Sequence, residues 1–139
     1  FAMRHGVKID VRKMDKGFVN MHRNDVIEYI KETYEIIPEY LFKSDPECCV
    51  FRHCYSKKWF GVIMNISADK VGLGADTYID VLNVKCDPEM VAVLNCQLGF
   101  APAYHMNKKH WLTILLDGSV PNEQIAQLLN ISYELTKKR

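Results

Sequence analysis

The stretch Thr77–Gly99, TYIDVLNVKCDPEMVAVLNCQLG, puts two kinds of periodicity back to back, and its reading decides the fold class. The first half alternates. Tyr78, Asp80, Leu82 and Val84 fall on one face and Ile79, Val81, Asn83 and Lys85 on the other, which is the two-residue period of a strand. The second half reads as a capped helix. Asp87 suits the capping position, Pro88 the first turn, where a missing N–H costs nothing, Glu89 the positive end of the helix dipole, and Gly99 the stop.

Two further strand-like runs lie upstream, CCVFRHCY (Cys48–Tyr55) and KKWFGVIMNI (Lys57–Ile66), rich in β-branched and aromatic residues and separated by a short turn. The connection SADKVGLGAD lacks the lysine and Ser/Thr of a phosphate loop, so its two glycines read as a turn. Such short spacings favour antiparallel neighbours, because a parallel crossover needs a dozen or more residues. Before them, Asn24 is a good helix cap for DVIEYIKETYEII. Val26, Ile27, Ile30, Tyr34 and Ile37 line one face, Asp25, Glu28, Glu32 and Glu35 the opposite one, and Pro38 ends the helix. Downstream, strands are expected over Ala101–Met106 and Trp111–Leu116, with a turn at Asp117-Gly118. Pro121 then opens a last helix whose inner side carries Ile125, Leu128, Leu129, Ser132 and Leu135. The order α-β-β-β-α-β-β-α implies an α+β domain over 21–139, a twisted antiparallel sheet with helices packed on one face. Residues 1–20 show no clear period and are expected to be an arm or tag remnant outside that domain.

Composition narrows the function classes. The chain has 139 residues, 48% of them hydrophobic and 25% charged, enough for one ordinary core. Its formal net charge of +1 provides no global field for nucleic acid or membrane, so a basic site must be a local patch. No apolar stretch is long enough to span a bilayer, and no secretory signal is seen. The five cysteines (Cys48, Cys49, Cys54, Cys86, Cys96) are odd in number and show no C-x-x-C spacing, which favours reduced thiols in a cytoplasmic protein over zinc ligands or disulfides.

Four segments carry a family resemblance: NVKCDPE (Asn83–Glu89), PAYHMNKKHW (Pro102–Trp111), LDGSVP (Leu116–Pro121) and SYELT (Ser132–Thr136). In that order and spacing they resemble the signatures of the MmcQ/YjbR family, from about Asn24 to the C-terminus. The resemblance implies a small bacterial protein with a frataxin-like (CyaY-like) fold and a double-wing arrangement labelled DNA-binding. The family's usual Pro-Gly-Tyr-His is Pro102-Ala103-Tyr104-His105 here, so a turn expected to want glycine carries alanine.

The tip of the PAYHMNKKHW segment is the leading candidate site. In a hairpin, Asn107, Lys108 and Lys109 form the turn, with His105 and His110 flanking it on facing strands. Two ammonium groups, an amide and two imidazoles suit phosphate oxygens, contacts that position a protein without reading sequence. Lys57 and Lys58, in the earlier turn, supply the second finger, and Tyr55 and Tyr104 are candidates for stacking on a base. The competing reading is structural: Trp111 anchors the hairpin while the lysines keep a sheet edge soluble. A catalytic role finds no support, since neither Cys86 nor Ser119 lies in a nucleophile-elbow context. The histidine pair lacks a third metal ligand fixed by sequence, Asp117 and His53 being distant options. With the DNA-binding label that the resemblance implies set beside the two lysine pairs, non-enzymatic, cofactor-free contact with DNA, without sequence specificity, is the expected function. The alternative is a frataxin-like metal-binding or adaptor module using Asp25, Glu28, Glu32 and Glu35, whose oxygen ligands suit hard cations. Those carboxylates also match the ordinary solvated face of an amphipathic helix.

Overall fold

Among the described residues, a five-stranded antiparallel sheet organises the fold, with three helices gathered on one side. The structure, a computed structural model, describes residues 21–74 and 77–137. The expected N-terminal arm over 1–20 lies outside the described residues. The elements are α1 (Arg23–Tyr34), β1 (Cys49–Arg52), β2 (Trp59–Ser67), a 3₁₀ turn (Ala68–Val71), β3 (Tyr78–Lys85), α2 (Pro88–Leu94), β4 (Phe100–Pro102), β5 (Trp111–Leu115) and α3 (Asn122–Lys137). This is an α+β architecture, with the strands in the order β1-β2-β3-β5-β4 and each of them antiparallel to its neighbours.

Alternation along the strands creates two apolar layers. On the helix side, Val26 and Ile30 of α1 and Ile125, Leu128 and Leu129 of α3 pack with Phe51, Ile63, Leu82, Leu112 and Ile114 from the sheet. The opposite face carries a second cluster of Cys48, Val50, Val62, Met64, Ile66, Val81 and Leu115. Two inner-face assignments change. α1 stops at Tyr34, and Glu35 closes it in a left-handed conformation (φ 60°) before Pro38 is reached. Ile37 therefore lies beyond the helix and is 64% exposed, while Tyr29 takes an inward place. In α3 the inward position of the last turn belongs to Thr136, and Leu135 is 41% exposed.

β2 departs from regular pairing at its start. Phe51 faces Gly61 but Arg52 faces Trp59, so the register jumps across Phe60. In an unbroken strand, Phe60 would share a face with Val62 and Met64. The bulge turns it to the helix side, where it joins the main core and meets Tyr34, His53 and Tyr133. Trp59 is left against the second cluster, on the other face.

Both sheet edges are short. β4 has three residues and ends in Pro102. Outside β1, Glu39 exchanges two backbone hydrogen bonds with Val50, each 2.9 Å, and its carboxylate holds the Arg52 guanidinium at 2.7 and 2.9 Å.

Gly99 closes the α2–β4 connection at φ +94°, and a Cβ there would lie 2.4 Å from Val120 Cγ2 and 2.7 Å from Ser119 Oγ. Backbone strain and overpacking both oppose any side chain at this point. Gly99→Ala is expected to destabilise the fold by about 2 kcal/mol or more, read as a lower denaturant midpoint at unchanged slope; a midpoint like that of the parent chain would refute the steric reading.

Candidate functional site

The candidate residues converge on one end of the sheet because of its register. Arg52 pairs with Trp59, Lys85 with Trp111, and Pro102 with Leu112, so the β1–β2 turn and the β4–β5 connection open in the same direction. Between them lies the C-terminal end of β3. β2 and β5 flank β3, which sets them about 10 Å apart at the usual strand spacing.

The β1–β2 turn spans 53–58. His53 N–H donates to Lys58 O and Lys57 N–H to His53 O, and Lys57 takes a left-handed conformation (φ 66°). Lys57 and Lys58 are exposed, and Tyr55 projects almost fully into solvent. His53 turns inward. Its ring lies against Phe60 and Tyr133, with Nε2 2.9 Å from Thr136 Oγ1. Burial pushes the His53 pKa below the usual imidazole range, and the ammonium groups of Lys137 and Lys58 push the same way.

The β4–β5 connection is not the tight hairpin expected. β4 ends at Pro102 rather than near Met106, so 103–110 form an eight-residue loop and neither histidine stands on a strand. His105 adopts φ 60° and packs its ring on Tyr104, centroids 4.0 Å apart. Ala103, expected at a turn demanding glycine, has no positive φ; it is fully buried, so small size is what this position uses. Asn107 organises the tip. Its carboxamide oxygen accepts from Lys109 N–H (2.9 Å) and His110 N–H (3.3 Å), and its backbone carbonyl accepts from Trp111 N–H. Lys108 and Lys109 are exposed beside it, and His110 O accepts from Cys86 N–H at 2.9 Å.

Two buried polar clamps hold this end in place. Asn83 Nδ2 donates to Tyr104 O (3.1 Å), Tyr104 N–H donates to Thr113 Oγ1 (3.1 Å), and the Thr113 hydroxyl donates to Asn83 Oδ1. The first residue of one motif thus fixes the backbone of another, and both side chains are fully buried and satisfied. On the helix side, Ser132 Oγ donates to Phe60 O (2.6 Å) and accepts from Lys85 N–H (2.9 Å). It spans β2 and β3 just past their last register pair, Gly61 with Val84. Thr136 Oγ1 donates to Ser132 O (2.7 Å) and meets His53.

A cavity of about 310 Å³ lies at this end, lined by Lys57, Lys58, Trp59, Lys85, Trp111, Leu135 and Thr136. It brings Lys57 and Lys58 together with Lys85, which sequence reasoning did not single out, and with both tryptophans of the chain. The signal for Lys85 was present as the single cation in an alternating, mostly apolar strand. Lys108 and Lys109 sit on the neighbouring loop rather than in the lining. A larger groove of about 440 Å³ between α2 and α3 carries Asp87 and Glu89 and no cation, the wrong electrostatics for an anion.

Of the acidic set, Asp25, Glu28 and Glu32 lie within α1. Asp25 accepts from His22 N–H (3.0 Å) at the helix start, and Glu35 lies past its end. Among the described residues, no group of three or more His, Cys, Asp or Glu side chains is placed to hold a metal ion. The five cysteines are all unpaired thiols; burial pushes Cys48 up to about 11 and Cys86 up to about 12, leaving neither a ready nucleophile. No helix among the described residues is long and apolar enough to cross a membrane.

Similarity to known proteins covers this same region. The sequence model of the YjbR family matches residues 29–135. YyaQ of Bacillus subtilis, an uncharacterised protein, is 39% identical over 115 residues, which is 83% of this chain and 98% of the relative. Escherichia coli YjbR, also uncharacterised, is 41% identical over 54 residues, 38% of this chain and 46% of its own length. A Pseudomonas syringae crystal structure superposes with a TM-score of 0.82 at 39% identity, covering 84% of this chain and 99% of that one. A Deinococcus radiodurans DUF419 domain gives a TM-score of 0.65 at 29% identity over 87% and 82% of the two chains.

Two expectations follow. Ser132→Ala would leave the Phe60 carbonyl and Lys85 amide unpaired, a loss of about 1–3 kcal/mol, with faster amide exchange at Lys85; unchanged exchange there would refute the bridge. For His53, the folded pKa lies below the unfolded one, so between them the unfolded chain binds more protons. Stability should therefore fall as pH drops through the unfolded imidazole value, about 6.5, towards the lower folded value. In thermal melts between pH 7.5 and 5, His53→Gln should show a shallower loss than the parent; parallel curves would exclude His53 as a source.

Proposed function

The chain belongs to the YjbR family, and we propose that it is a non-enzymatic nucleic-acid-binding protein that grips the phosphate backbone with the lysine-bearing end of its sheet. The observation that supports this reading is the common direction of the two turns. Lys57 and Lys58 on one side and Lys108 and Lys109 on the other flank Lys85 across the width of three strands. In a chain of net charge +1, five lysines at one sheet end form a local positive field, with Arg52 already neutralised by Glu39.

The two connections serve as the wings of a double-wing arrangement. Lys108 and Lys109 contact phosphates, Asn107 shapes the tip, His105 and His110 flank it, and the half-buried Tyr104 anchors the loop. We read the fold as frataxin-like (CyaY-like), with the sheet end rather than the acidic side of α1 as the working surface. The site of action in this proposal is the cytoplasm, where unpaired thiols stay reduced. Phosphate contacts by lysine carry no base information, so binding is independent of sequence.

Fluorescence anisotropy with labelled oligonucleotides at low salt, followed by a salt titration, tests the proposal. The double variants K57E/K58E and K108E/K109E should each weaken binding for every sequence and flatten the dependence of log K on log salt by about 1 for each lysine lost. Absence of binding at low ionic strength, or charge reversals that leave the salt slope unchanged, would overturn it.

A further inference from the structure

The cavity at the sheet end carries a second kind of information besides charge. Both tryptophans of the chain line it, together with three lysines. Neither indole is fully buried. Trp59 owes its position to the bulge that sends Phe60 to the helices, and Trp111 comes beside Lys85 through the β3–β5 register. Leu135 and Thr136 of α3 complete the lining.

A surface built only for duplex phosphates gains little from concave indoles, because paired bases are already stacked on both faces. An unpaired base has a free face, and stacking on an aromatic side chain is the usual reward for binding it. The cavity volume of about 310 Å³ is at the small end for ligand sites, on the scale of one nucleotide and far below a duplex turn. Apart from its lysines, taken up by phosphates in this reading, its lining lacks the groups that read base edges. There is no Asn, Gln, Asp, Glu or Arg, and the Thr136 hydroxyl is already engaged with Ser132 O and His53.

We propose that this cavity receives one unpaired nucleotide of a single strand, the base resting against Trp59 and Trp111 and the phosphates held by Lys57, Lys58 and Lys85, with no preference among bases. The inference rests on the nucleic-acid reading above and sharpens it from phosphate contact to single-strand preference. The exposed lysines of the β4–β5 loop lie where the strand would continue beyond the cavity.

The tryptophans themselves are the probe, since the chain has no others. A 12-nucleotide single strand and the same sequence as a duplex are titrated at low salt, following both anisotropy and indole emission. The single strand is expected to bind about tenfold tighter than the duplex and to quench emission. Lys85→Gln, which leaves both indoles in place, should erode this advantage by weakening the single strand more than the duplex. Trp111→Phe should reduce the quench, and circular dichroism checks that it folds; if it does not, Lys85→Gln still decides. Equal affinity for the two forms with unchanged emission overturns the single-strand inference and leaves backbone binding standing. Binding of neither form overturns both.

Discussion

The end of the sheet depends on one hydroxyl. Where β2 bulges at Phe60, its pairing with β3 stops, and two backbone groups in a buried region would be left without partners. Ser132, projecting from α3, meets both. An unsatisfied buried peptide group costs about as much as a hydrogen bond is worth in the interior. The bulge is therefore tolerable only because a helix supplies the missing donor and acceptor. Its consequences run in opposite directions. Phe60 fills the aromatic cluster with Tyr34, His53 and Tyr133, which locks α3 and the β1–β2 turn together. Trp59 is left against the cluster of the opposite face and lines the cavity at the sheet end.

A second constraint, Asn83 with Thr113, does for the β4–β5 loop what Ser132 does for the β1–β2 side. Both use a buried polar side chain to fix the backbone of an irregular segment, so the two loops have defined positions although neither is regular structure. The result is exposed lysine side chains on backbone that is held in place. The acidic residues of α1 are spread along their helix, with Asp25 engaged at its start. The gathering of lysines at one sheet end comes from topology, since the net charge of +1 supplies no bias of its own.

The regular elements were legible because they follow local rules. The alternation in Tyr78–Lys85, the Asp87-Pro88 start of α2 and the Asp117-Gly118 turn all appear where periodicity and capping put them. What stayed hidden was set by tertiary contact. Nothing in KKWFGVI announces that Phe60 and Gly61 both serve the helix side, because the bulge is stabilised by a serine more than 70 residues later. PAYHM looks like strand, yet β4 stops at Pro102 because Asn83 and Thr113 capture the Tyr104 backbone groups. Motif resemblance located Asn83, Tyr104 and Ser132 without explaining them. Their common role is to satisfy backbone groups beside the cavity, which sequence spacing cannot reveal. Of the site, the lysine doublets were readable as surface cations, whereas it is the register that brings Lys85 and Trp59 to the same place as the first doublet.

The sheet borders also bear on how copies of this molecule can meet. On the β1 side, Glu39 has already taken the backbone groups of Val50 and covers the strand with a tethered arginine. On the β4 side, three residues ending in proline present too short a ladder to template another chain. Continuous sheet growth from one molecule to the next is thus discouraged at both borders. Any assembly of copies is steered towards side-chain surfaces, whose geometry need not propagate into a fibre.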